Sequence, residues 1–217
     1  MSKSPEQTTS WVAGNISKMR EVRAITLLGP NTILITRKKS DPFVAGIISV
    51  PVVTAEVLQP LLDSNSQIEI VANVPRESAW TGDAIATAGT RGVAFGGISD
   101  LMSAISLENV REYVRREFEF VERGLNQHDR VSKLEREFDR VYLVHRHGLL
   151  ALRFVMLNEY ELTADHIRTA RSRYGSFDAV LINNPNGTPT SSAVDVAKDL
   201  KIGIFKWGEF FGRLNRP

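Results

Sequence analysis

The chain has 217 residues, 42% hydrophobic and 24% charged, enough for one large or two small cores and too apolar for general disorder. Its 27 basic and 25 acidic residues leave a net charge of +2, which excludes the broad positive field of a dedicated nucleic-acid binder and confines any basic patch to a local one. Cysteine is absent, so disulfides, thiolate nucleophiles and Cys-ligated zinc are excluded; no run approaches the roughly 18 to 20 apolar residues that span a bilayer, and the expectation is a cytoplasmic protein without membrane contact.

In chain order, a short helix precedes an apolar, β-branched strand at Thr32 to Arg37, and a second strand covers Phe43 to Val50. Thr54, followed by Ala55 and Glu56, reads as a helix N-cap with an acid at the positive end of the dipole. The strand Ile68 to Val74 is apolar apart from Glu69 and Asn73, which predicts burial on both faces and parallel pairing. A helix begins near Thr81, a strand follows at Val93 to Phe95, and a short helix closes the unit. Residues 106–138 carry Val110, Val114, Val121 and Leu125 at helical spacing, with acid and base pairs at i,i+4. They are expected to form a helical connection, with a helix ending near Gly124 that leads the second half. The second half then repeats the plan: strands at Arg140 to Arg146 and Leu150 to Leu157, a helix capped by Thr163, a strand at Phe177 to Ile182, a helix near Ser191, a strand at Ile202 to Phe205 and a last helix.

The two halves keep one register, 109 residues apart: Leu34 falls on Leu143, Arg37 on Arg146, Ala84 on Ala193 and Ala88 on Ala197. Identities are few, but the apolar classes hold without a gap. The expected architecture is α/β, with two similar β-β-α-β-α-β-α units whose mixed sheets are flanked by helices, a pseudo-dimer in one chain. The first unit spans 1–105, the connection 106–138 and the second unit 139–217.

From Thr163 to Leu214, the segments "DHIRTA", "FDAVLINN", "SAVDVAKDLKIGIFKWGEFFGRL" resemble the C-terminal half of an Mrr-type restriction endonuclease domain. The resemblance implies a restriction-endonuclease-like fold that cleaves DNA with an acid on one strand and Glu or Gln, any residue, then Lys on the next, around a divalent metal. The matching strands, Leu152 to Leu157 and Phe43 to Val50, contain neither an acid nor a lysine. The resemblance therefore implies a tandem duplication that has lost its usual catalytic residues, a non-catalytic nucleic-acid-associated binding or assembly protein without a cofactor. If a nuclease survives, its candidates are Asp139, Glu159 and Glu161, with Arg153 in the place of the lysine and Mg as the metal.

The helix from Thr163 carries Arg168, Arg171 and Arg173, whereas its counterpart "TAEVLQPLLDS" has no base. With Arg146 and Lys206 these arginines are the candidates for contacts to a nucleic-acid phosphate backbone; an ordinary exposed helix face is the other reading. Arg37 and Arg146 occupy equivalent strand ends, for either phosphate contacts or structural ion pairs. The stretch "INNPNGTPTSSA" offers Asn183, Asn184, Asn186, Gly187 and Thr190 as an anion-binding turn before a helix, the basis of a nucleotide- or small-anion-sensing alternative. A structural turn, with Gly187 at positive φ and Ser or Thr caps, is its competitor. His145 and His147 are expected on one strand face, where His166 or Glu161 would complete a metal site if they are not merely solvent-facing. Trp80 and Trp207 read as packing anchors, and Phe210, Phe211 and Leu214 as an apolar cluster for internal packing or a homodimer or protein-partner contact. No phosphate-loop, dinucleotide-binding, nucleophile-elbow or H-E-x-x-H motif occurs.

Overall fold

A computed structural model describes residues 4–217; residues 1–3, which the expected first unit includes, lie outside the described residues. The chain divides into two compact units, residues 1–115 and 116–217. No helix among the described residues is long and apolar enough to cross a membrane.

The first unit runs α1 (Pro5–Ile16), β1 (Val22–Gly29), β2 (Thr32–Arg37), β3 (Phe43–Ile48), β4 (Val52–Val53), α2 (Ala55–Ser64), β5 (Ile68–Asn73), β6 (Ala79–Trp80), α3 (Gly82–Thr90), β7 (Ala94–Gly97), α4 (Ile98–Ala104) and a 3-10 turn at Val110–Glu112. Its five-stranded sheet has the order β1-β2-β3-β5-β7. The first three strands pair antiparallel, and β3, β5 and β7 pair parallel. Every residue of β3 is buried, as a central strand covered on both faces requires. Alternate residues face opposite ways: Phe43, Ala45 and Ile47 join Val12, Ile16 and Leu101 in one core, while Val44 and Ile48 join Leu58, Leu62, Ala84 and Ala88 in the other. Helices α1 and α4 thus cover one face, α2 and α3 the other.

The second unit runs α5 (Arg116–Asn126), β8 (Val131–Phe138), β9 (Val141–Arg146), β10 (Leu149–Leu157), β11 (Glu161–Leu162), α6 (Ala164–Tyr174), β12 (Ala179–Ile182), β13 (Thr188–Pro189), α7 (Ser191–Asp199), β14 (Gly203–Phe205) and α8 (Trp207–Leu214). Its sheet, read from the other edge, has the matching order β14-β12-β10-β9-β8. Element starts recur at one spacing, as from Val22 to Val131, Thr32 to Val141, Ala55 to Ala164 and Ile98 to Trp207. The chain is therefore α/β, with two mixed five-stranded sheets flanked by helices.

Thr54 and Thr163 stand at the expected N-cap positions, and the Thr163 hydroxyl accepts from His166 N. The edge strands β1 and β8 were not anticipated. Residues 106–138, expected to be a helical connection, contain the 3-10 turn, α5 and the whole of β8. The sequence of β8, "VSKLEREF", spaces its charges as a helix does because an edge strand exposes side chains that need no apolar alternation. Register shifts near both ends of β1 and of β8 break the period of two further.

Candidate functional site

In the second unit, β10 and β12 run parallel and end at Leu157 and Ile182, while antiparallel β9 begins beside them, with Val141 opposite Val155. The β8–β9 turn and the segments after β10 and β12 therefore meet at one edge of the sheet, the carboxyl edge at which open α/β sheets bind ligands. Helix α5 places Glu117 there. Its Oε1 accepts from Arg140 Nη2 at 3.2 Å, and its Oε2 accepts from Asn158 Nδ2 at 3.2 Å and Asn183 Nδ2 at 3.5 Å. Asn183 Oδ1 in turn accepts from Trp207 Nε1 at 3.1 Å, so α8 joins the network.

One turn further along α5, Glu122 Oε1 accepts from Arg136 Nη1 and from Tyr142 Oη, each at 3.0 Å. The Arg136 guanidinium lies 4.2 Å from the Phe118 ring centroid, a cation–π contact on the arginine, while the Glu122 side chain stays 37% exposed. Burial pushes the Tyr142 phenol well above its ordinary range, which keeps it a hydrogen-bond donor. The repeat register places Thr8, Ala13, Leu27, Asn31, Ile33, Ser49, Val74 and Ile98 at the positions of Glu117, Glu122, Arg136, Arg140, Tyr142, Asn158, Asn183 and Trp207. None of the first unit's set is charged, so this network belongs to the second unit alone. Sequence reading missed Glu117, Glu122, Arg136 and Arg140; comparing charges across the two repeats would have found them.

The predicted catalytic residues lie on different segments of the second unit. Asp139 lies in the β8–β9 turn, where its carbonyl accepts from Arg136 Nη2; Glu159 follows β10; and Glu161 is exposed on β11. Arg153 does lie on the strand of the missing lysine, but its Nε donates to Glu137 Oε2 at 2.5 Å and its two terminal nitrogens to the carbonyls of Ser176 (2.5 Å) and Tyr174 (2.9 Å). It ties β8 and β10 to the end of α6, where Gly175 turns the chain at φ 78°. No group of three or more His, Asp or Glu side chains among the described residues is placed to hold a metal ion. Of the nuclease set, Arg153 is thus occupied by Glu137 and two carbonyls, and Asp139, Glu159 and Glu161 stand on separate segments. The histidines have other neighbours: His145 Nε2 lies 3.1 Å from Glu135 Oε1, His147 sits in the turn after β9 instead of on the strand face, and His166 Nδ1 accepts from Thr163 N.

Of the predicted phosphate ligands, Arg146 is buried. Its Nε donates to Leu150 O at 2.8 Å and its Nη1 to the carbonyls of Arg213, Leu214 and Arg216, so it caps the C-terminus of α8. Arg37 does the same in the first unit, donating to Asp41 O and to the carbonyls of Ile105, Leu107 and Glu108. The pair is structural, through main-chain carbonyls and not through ion pairs. Arg168 is exposed and pairs with Asp165 at 3.1 Å, and Arg171 flanks it on a depression of about 400 Å³ shared with Val196, Asp199 and Leu200 of the α7 side. The Arg173 guanidinium lies 6.0 Å from the Tyr174 ring, and Lys206 is the half-buried N-cap residue of α8. The arginines of α6 are thus together on one helix, apart from Arg146.

The Asn-rich turn folds inward. Asn184 Oδ1 accepts from Asn186 N, Asn184 O from Gly187 N, Leu157 O from Asn183 N, and Leu162 O from Thr190 N, while the Thr190 hydroxyl caps α7 through Ala193 N. The main-chain donors of Asn183, Asn186, Gly187 and Thr190, four of the five residues expected to form an anion cradle with Asn184, are thus engaged within the protein. Gly187 is required for a different reason than positive φ: a Cβ there would come within 2.6 Å of Ile182 Cγ2 and collide with the Glu159 carbonyl. Compared with known proteins, the chain matches no family model, no curated protein and no solved structure.

Proposed function

We propose that the protein is a non-catalytic, nucleic-acid-associated binding protein built from two duplicated copies of a degenerate restriction-endonuclease-like unit. Matching strand orders and the recurrence of most element starts at one spacing support the duplication. One observation carries the non-catalytic reading. At the carboxyl edge of the second unit's sheet, the Glu117 carboxylate is engaged by a guanidinium and two amides; Arg153, whose partners include carbonyls that precede β12, is engaged by Glu137 and two carbonyls. A carboxylate neutralised in this way has little left to offer a divalent cation, and the network it forms supports a packed edge in place of a reaction centre.

Binding is assigned to α6, whose Arg168, Arg171 and Arg173 would contact phosphate oxygens without reading bases. At the positions of Arg168 and Arg171 the first unit has Gln59 and Leu62, and beside them Asp63 pairs with Arg91, so the equivalent face is not cationic. Fluorescence anisotropy with labelled duplex and single-stranded DNA and RNA at low salt tests the assignment. Binding should weaken linearly in log salt, by about 0.9 log units per log unit of salt for each duplex phosphate neutralised. Arg168→Ala with Arg171→Ala should weaken it uniformly across sequences. No binding to any of the four probes rejects the proposal.

A further inference from the structure

The first unit contains a cavity of about 600 Å³ beside the β2–β3 turn, lined by Arg20, Glu21, Arg37, Lys38, Lys39 and Ser40 and closed by the end of α4. Four cations there face one carboxylate. Arg20 is exposed and pairs with Glu21 at 2.6 Å. Arg37 is buried, and the acceptors it meets are main-chain carbonyls, which solvate its charge without cancelling it. Lys38 and Lys39 are exposed in the turn; Lys38 lies close enough to the Glu21 carboxylate to help hold its pKa down, and no close ion pair is formed by either lysine among the described residues. A concave wall that collects cations around a buried guanidinium focuses a positive potential and concentrates anions.

The second unit makes a cavity in the same place, about 590 Å³, lined by Gln127, His128, Asp129, Arg130 and Asn215. Asp129 stands there at the position of Arg20, and His147 and Gly148 stand at the positions of Lys38 and Lys39. The cavity is thus a product of the fold, made twice, and each copy holds one arginine and one acid at the equivalent two positions, Arg20 and Glu21 or Asp129 and Arg130, while the two adjacent lysines occur in the first copy alone. That contrast separates the charge from any structural requirement of the turn, because the second unit closes the same turn with neither lysine.

We propose that the first-unit cavity is a phosphate-binding site, in which the ammonium groups of Lys38 and Lys39 and the guanidinium of Arg20 contact the oxygens of a phosphate mono- or diester and Ser40 adds a hydroxyl donor. Its volume lies in the range of small-ligand pockets, roughly 300 to 1,000 Å³. The site does not depend on the α6 assignment and lies in the other unit.

The test is titration calorimetry of the full chain at low salt with three probes: inorganic pyrophosphate, a nucleoside triphosphate and a single-stranded oligonucleotide. Lys38→Ala with Lys39→Ala changes exposed turn positions, and an unchanged circular dichroism melt establishes that the variant folds. Saturable binding of at least one probe is expected, weakened about tenfold or more by that double variant, equivalent to about 1.4 kcal/mol. Arg168→Ala with Arg171→Ala should leave pyrophosphate and triphosphate binding unchanged. Binding of pyrophosphate and triphosphate identifies a free phosphate ligand; binding of the oligonucleotide alone, with the same sensitivity to the lysines, identifies a nucleic-acid backbone. Absence of saturable binding to all three probes, or equal affinity in the lysine variant, overturns the proposal. Failure of the α6 variant to affect the oligonucleotide bears on the proposed function and not on this site.

Discussion

Replacing Asp100 by asparagine should cost the first unit about 2 to 3 kcal/mol, for reasons that can be followed atom by atom. Asp100 stands in the first turn of α4 and is 3% exposed. Its Oδ1 accepts from Tyr113 Oη at 2.7 Å and Arg115 Nε at 2.9 Å; its Oδ2 accepts from Gly97 N at 2.7 Å and from Arg115 Nη2. Breaking a buried ion pair by removing one charge costs about 3 to 5 kcal/mol. The Arg115 side chain keeps 30% of its exposure, so water recovers part of that loss, and the asparagine carbonyl can still accept from Gly97 N. For a unit of this size each kcal/mol corresponds to roughly 4 °C, so the melting temperature of the first unit should fall by about 8 to 12 °C. The pH dependence has a fixed sign. Burial disfavours the ionised form, but the Arg115 guanidinium and the Tyr113 and Gly97 donors outweigh it and hold the carboxyl below its ordinary value of 3.8. A depressed folded value means that this stability is present above pH 3.8 and is lost as the pH falls through the lower folded value. Urea denaturation of the full chain, with amide exchange in β5 and β7 reporting on the first unit, measures both effects. A loss below about 1 kcal/mol, or an acid limb unchanged in Asp100→Asn, would refute the reasoning.

Arg153→Met removes the Glu137 pair and the contacts to the carbonyls of Tyr174 and Ser176, and should lower the stability of the second unit by about 1 to 3 kcal/mol in a urea melt, with Arg153→Lys restoring only part because an ammonium cannot fork to both sites. Gly187→Ala should cost about 1 to 3 kcal/mol through collision with the Glu159 carbonyl and Ile182, whereas exposed Asn186→Leu at the neighbouring position should lose mainly the contribution of its main-chain turn preference, about 0.5 kcal/mol. Millimolar Mg should leave the thermal melt of the protein unchanged, since a ligand stabilises only in proportion to its binding of the folded state; a shift that Glu117→Gln or Glu159→Gln removes would reopen the nuclease reading.

Strands of the core were legible because they obey simple rules. β3 is apolar without interruption and β5 is apolar apart from Glu69 and Asn73, and threonines at 54 and 163 announced α2 and α6. The edge strands were not, because a half-solvated strand with bulges has no constraint on side-chain alternation, and "VSKLEREF" satisfies a helical charge pattern equally well. The partners of single charged residues are hidden by the same locality. Arg146 and Arg153 are conspicuous as isolated charges, yet what a guanidinium does depends on whether carbonyls from residues far along the chain reach it, as Arg216 O reaches Arg146 at 2.7 Å.

The sequence by itself determined the composition of the two cores, the helix starts and the recurrence of one plan every 109 residues, since hydrophobic periodicity and capping are read over a few neighbours. Tertiary structure alone decided that the Asn-rich turn spends its donors inward, that Glu117 meets Arg140, Asn158 and Asn183 at one sheet edge, and that four cations surround the first-unit cavity. Those outcomes rest on contacts between residues tens of positions apart, where charge and hydrogen-bond geometry are set by the pairing of strands and not by spacing along the chain.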